Sequence, residues 1–93
     1  MEHTSGFGVY FMFPGGTTEQ YDSVLDALDL MGKPDGSICH VAWADDHGLN
    51  VSEVWESKEA WETFKKDHLD MAMEGKDLPK GNVMTFEVHN VMC

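Results

Sequence analysis

The chain reads as an α+β fold with its elements in the order β-α-β-β-α-β. Three observations predict it. Four runs rich in aromatic and β-branched residues are each bounded by glycine, proline or aspartate. Two windows carry apolar residues at helical spacing, each opened by a hydroxyl residue. Between the second and third strand runs stands only Asp46-His47-Gly48, a hairpin signal. This order is the split β-α-β, ferredoxin-like pattern, a four-stranded antiparallel sheet with both helices on one face.

The elements follow in order. Residues 1–5 read as a loose polar end. Gly6 to Phe13 is the first strand, with Phe7, Val9, Phe11 and Phe13 on one face and Tyr10 and Met12 on the other. Both faces are apolar, which predicts a central strand. Pro14-Gly15-Gly16 ends it, and Thr17 caps the first helix with Gln20 as its capping-box partner. Tyr21, Val24, Leu25 and Leu28 form that helix's apolar stripe, which should run to about Met31-Gly32, before a loop at Lys33 to Gly36. Ser37 to Asp45 is the second strand and Leu49 to Glu56 the third. Ser57 caps the second helix, which should reach about Glu74. Asp77 to Gly81 is a loop, and Asn82 to Met92 is the last strand. Apolar residues on both sheet faces, with helices for only one, predict that the open face pairs with a second copy.

The 93 residues make a single domain, 1–93. Its net charge is −11, from 17 acids against 6 bases, and every base is lysine. Such a surface repels phosphate backbones and lacks the guanidinium fork that grips them, so neither nucleic acid nor an anionic membrane is an expected partner. No run approaches the length of a membrane span. The opening MEHTSG lacks the basic stretch of an export leader. Cys39 and Cys93 share no metal-like spacing, and the expectation is two free thiols in a reducing cytoplasm. The sequence carries no phosphate loop, no dinucleotide fingerprint and no metal-ligand cluster, so the expected cofactor is none.

The candidate chemistry lies in the hairpin and the second helix. If Ala44 pairs with Leu49, then Ile38 faces Trp55, His40 faces Glu53 and Ala42 faces Val51. A carboxylate opposite an imidazole orients it for general-base work, and the two small alanines leave room for a ligand. The alternative is a purely structural hydrogen-bonded pair. On a helical wheel His68 falls within about 20° of Trp61, in the middle of an apolar stripe that includes Phe64. It should therefore look toward the sheet as a second candidate base beside His40 and Glu53, or else be a satisfied core histidine or one at the helix's outer edge. Tyr10, Trp55, Trp61 and Phe64 are core residues by default and the candidate walls of an apolar pocket. His89, in the last strand, is a candidate at its rim or at a dimer interface. Trp43, Phe7, Phe11 and Phe86 are expected in the core.

Several words in the chain are also familiar. They are Gly16-Thr17-Thr18-Glu19-Gln20-Tyr21, His40-Val41-Ala42, Val54-Trp55-Glu56-Ser57, Ala60-Trp61-x-x-Phe64 with His68, and Val88-His89-Asn90-Val91. Together with the element order they resemble the dimeric α+β barrel superfamily, in particular proteins similar to antibiotic biosynthesis monooxygenases. The resemblance spans about residues 7–92. It implies a ferredoxin-like homodimer with a cavity between sheet and helices, near Trp55 and His68. It also implies a choice of activities, including cofactor-independent oxygenation, isomerisation and cyclisation. Two functional classes follow. One is a cofactor-independent monooxygenase- or isomerase-type enzyme acting on a small hydrophobic or aromatic molecule. The other is a non-catalytic dimeric module that binds an apolar ligand such as a fatty or aromatic acid.

Overall fold

The computed structural model describes residues 2–3, 6–28, 34–74 and 80–93. Its elements are β1 (Glu2–His3), β2 (Gly6–Pro14), α1 (Thr18–Leu28), β3 (Ser37–Asp45), β4 (Gly48–Trp55), α2 (Lys58–Phe64), a π-helical turn (Lys65–Leu69), α3 (Asp70–Met73), β5 (Asn82–Val88) and β6 (Val91–Met92). The main sheet is antiparallel, with strand order β3-β4-β2-β5. Thus β2 is central, as its two apolar faces predict. The expected β-α-β-β-α-β arrangement is present, and the α+β, ferredoxin-like class holds.

Local chemistry explains the element ends. The Gln20 amide N–H donates to Thr17 Oγ1 at 3.1 Å, and the Thr17 amide donates to Gln20 Oε1 at 2.9 Å. This reciprocal capping box satisfies two backbone donors at the start of α1. The Ala60 amide donates to Ser57 Oγ at 3.1 Å, which caps α2. In the hairpin, Asp45 Oδ1 accepts from the amides of His47 and Gly48. Those bonds, His47 first, hold the Asp45 carboxyl below its ordinary range.

The core lies between the sheet and the helices. Val9 and Trp55 from the sheet meet Trp61 and Phe64 from α2, and Phe13, Leu49 and Val51 form a second buried group. The rings interlock, with Phe11 edge-on to Trp61 and Trp55 tilted against both Trp61 and Phe64. Such ring pairs add about 0.5–1.5 kcal/mol each beyond the area they bury.

Several expectations change. The last strand does not run unbroken to Met92: it stops at Val88, and a short β6 then pairs antiparallel with β1. Glu2–His3 is therefore a strand and not part of a loose end. Cys93 is not a free thiol. It forms a disulfide with Cys39 of β3, their Cα atoms 6.1 Å apart. After β6 the chain has come back across one end of the sheet to the far edge strand, and this brings the two thiols together. Trp43 and Phe86 are not core residues; each is 41% exposed on the face away from the helices. The ends of α1 and of the second helix's connection, at 29–33 and 75–79, lie outside the described residues. Among the described residues, no helix is long and apolar enough to cross a membrane.

The register also departs from expectation at one point. His40 pairs with Glu53 and Ala42 with Val51, but Trp55 pairs with Ser37 instead of Ile38. A β-bulge sets Ile38 and Cys39 together opposite Val54. The extra residue restores the alternation, so both Ser37 and His40 point toward the helices.

Candidate functional site

The side chains of α1, β2, β3, β4 and the second helical region line a half-open cavity of about 310 Å³. Most of its wall is apolar, including Phe11, Val24, Leu28, Val51, Phe64 and Met73. The stripe of α1 that looked like a core face is thus a cavity wall. Polar groups gather on the β3–β4 side, where Tyr21, Ser37, His40 and Glu53 line the space.

Three of these groups and Trp55 form one chain of hydrogen bonds. The Trp55 indole N–H donates to Glu53 Oε1 at 2.9 Å. Glu53 Oε2 lies 3.1 Å from His40 Nδ1. The Tyr21 hydroxyl lies 2.6 Å from His40 Nε2. A carboxylate only accepts, so Nδ1 carries a hydrogen, and in the neutral imidazole Nε2 accepts from the tyrosine. The order is Tyr21 O–H to His40, His40 N–H to Glu53, with Trp55 fixing the other carboxylate oxygen.

Each member is positioned by regular structure. Tyr21 sits in the first turn of α1, just past the capping box. His40 and Glu53 are direct cross-strand partners, and Trp55 is two residues along the same face of β4. Glu53 is buried, whereas the His40 side chain is 36% exposed. The Tyr21 hydroxyl is pushed up from its ordinary value, first by burial and then by the charges of Glu53 and Asp22. It therefore stays a neutral donor at physiological pH.

The sequence candidates distribute unevenly around this site. His40, Glu53, Trp55 and Phe64 line the cavity. His68 does not. It is exposed, its ring 5.6 Å from that of Phe64, and it lines a separate acidic depression with Asp35, Glu56, Glu59 and Asp67. The wheel that placed it inward assumed 100° per residue, but the π turn at Lys65–Leu69 holds an extra residue per turn. Leu69 takes the inward position instead. Trp61 is buried behind the cavity against Phe11 and Trp55. Tyr10 points to the opposite sheet face, where its hydroxyl donates to buried Asn50 and its ring leans on Trp43. His89 lies past the end of β5, exposed and away from the cavity. Sequence reasoning missed Tyr21, since a tyrosine in an amphipathic stripe reads as core. Its signal was being the one stripe residue with a polar tip.

No family model matches this chain, and no curated protein matches it. Among solved structures, its fold matches the crystal structure of a variant of SnoaB, a cofactor-independent oxygenase from Streptomyces nogalater. The TM-score is 0.64 at 16% identity, over 90% of this chain and 92% of that one. The match extends the ferredoxin-like assignment over nearly the whole chain.

Proposed function

We propose that this protein is a cofactor-independent enzyme that removes a proton from a small, uncharged, hydrophobic or aromatic molecule. The observation that carries this reading is the Tyr21–His40–Glu53–Trp55 chain set in the wall of an apolar cavity. Glu53 orients the imidazole and stabilises it once it has taken a proton. Glu53 is the one charged side chain in the described lining, so a fatty or aromatic acid would meet like charge. This favours uncharged ligands over the carboxylic acids of the binding-module reading.

The fold shared with an oxygenase supports a specific outcome of that proton transfer. A methylene that has lost a proton becomes a carbanion able to reduce dioxygen. Addition of oxygen and loss of water then turn the methylene and one dioxygen into a ketone and water. The isomerase outcome needs only return of the proton to a different atom. The exposed apolar side chains on the far sheet face, among them Val41, Trp43, Met84 and Phe86, support a homodimer joined across that face.

The test uses anthrone and β-tetralone, two uncharged aromatic carbon acids. In deuterated water under argon, the protein should accelerate deuterium uptake at their acidic methylenes, read by proton NMR. His40→Ala should lower that rate roughly 100-fold, within the range for loss of a general base. No acceleration by the parent protein with either compound would sink the reading. Admitting air should then convert anthrone to its quinone if oxygenation follows.

A further inference from the structure

Both ring nitrogens of His40 are already engaged, one by Glu53 and the other by Tyr21. A molecule in the cavity therefore meets no free imidazole nitrogen. The oxygen held against Nε2 belongs to Tyr21, and Tyr21 lines the cavity. We propose that the phenolic oxygen of Tyr21, not the imidazole of His40, is the atom that takes the proton from a bound molecule. This deepens the function proposed above and rests on it, because it reassigns the contact atom within the same site.

The step balances without a co-reactant. As the ligand's acidic C–H bond breaks, its proton goes to Tyr21 Oη and its electron pair stays on the ligand carbon. The O–H bond of Tyr21 breaks in the same event, and that proton goes to His40 Nε2. His40 becomes imidazolium, its Nδ1–H still donating to Glu53. One negative charge now lies on the ligand and one positive charge on His40, while Tyr21 ends as it began. The reverse sequence returns a proton to the ligand.

Three features of the geometry suit this relay. The 2.6 Å separation between Tyr21 Oη and Nε2 is short enough for transfer without rearrangement. The phenol projects from a helical turn anchored by the Thr17–Gln20 box, so its place does not depend on a loop. Its neutral form is favoured by burial and by Glu53, so it donates to His40 until a ligand arrives.

The experiment follows deuterium exchange at the β-tetralone methylene under argon, with the parent protein, Tyr21→Phe and His40→Ala. The expected result is that Tyr21→Phe loses roughly 100-fold in exchange rate, comparable with His40→Ala, while its affinity for β-tetralone stays within about threefold. The parent should also show a solvent isotope effect well above unity on C–H cleavage, because the tyrosine's exchangeable proton moves in that step. This second measurement needs no variant and stands even if Tyr21→Phe folds poorly. Exchange by Tyr21→Phe at or above the parent rate would overturn the relay and make Tyr21 a plug over a directly acting His40. A solvent isotope effect near unity would overturn it too. In both cases parental exchange would persist, so the relay's failure differs from failure of the proton-transfer function itself.

Discussion

Glu53 is the residue on which the site's directionality rests. As a carboxylate it accepts from both Trp55 and His40, and that forces the imidazole hydrogen onto Nδ1. Glu53→Gln keeps the shape but replaces one acceptor by an NH2 donor. The amide oxygen can still serve the indole, and the amide nitrogen would then donate to Nδ1. His40 would have to shift its hydrogen to Nε2 and stop accepting from Tyr21. The expected loss of stability is about 1–3 kcal/mol, that of one impaired buried hydrogen bond. The exchange rate should fall much further than stability does. Nitrogen NMR of His40 should show the reversed tautomer; an unchanged tautomer would contradict the assignment. This pair was legible in the sequence because strand pairing around a tight turn is arithmetic: once Ala44 opposes Leu49, His40 opposes Glu53. Tyr21 was not legible, because nothing local to α1 says which side chain on β3 it will reach.

At the scale of elements, the β3–β4 turn decides whether that arithmetic holds. Gly48 has φ 142°, and a Cβ there would stand 2.3 Å from the Phe13 carbonyl oxygen, a backbone atom of the neighbouring strand. Gly15 has φ 75° but open space around its missing Cβ. Gly15→Ala should therefore cost about 1 kcal/mol from backbone strain alone. Gly48→Ala should cost clearly more than 3 kcal/mol or shift the strand register, because a backbone clash adds to the strain. Chemical denaturation ranks the two; equal losses would refute the argument. The second helix teaches the opposite lesson. Its start was readable from Ser57 and its aromatic stripe, but the π turn has no mark in a 3.6-residue pattern. A single extra residue per turn there exchanged the roles of His68 and Leu69. The bulge at Ile38–Cys39 escaped notice for the same reason, since it breaks a period of two without any change in composition.

For the whole molecule, two features stand out: the apolar open sheet face and the disulfide that ties Cys93 to β3. Val41, Trp43, Met84 and Phe86 are each at least 41% exposed on that face. If it joins two copies, the parent protein sediments as a dimer at micromolar concentration. Val41→Glu should then give a monomer that still binds β-tetralone, since Val41 points away from the cavity. A parent that sediments as a monomer would contradict the homodimer. The cysteine pair spans 54 positions in the chain. In the chain-entropy picture, closing a ring of that size is worth roughly 4 kcal/mol, so Cys93→Ser should lower the melting temperature substantially. The element order and central strand were visible in advance because they follow from hydrophobic periodicity. The thiol pairing was not, because it depends on where the last five residues travel after β5 ends.

That tether has a practical corollary. Cys39 and His40 are neighbours in sequence but face opposite sides of β3, one bonded to the chain's last residue and the other lining the cavity. A fluorophore or spin label attached just beyond Cys93 would ride on the back of the strand whose front carries the imidazole. It would report ligand-driven shifts of β3 without entering the cavity and without a substitution in its lining.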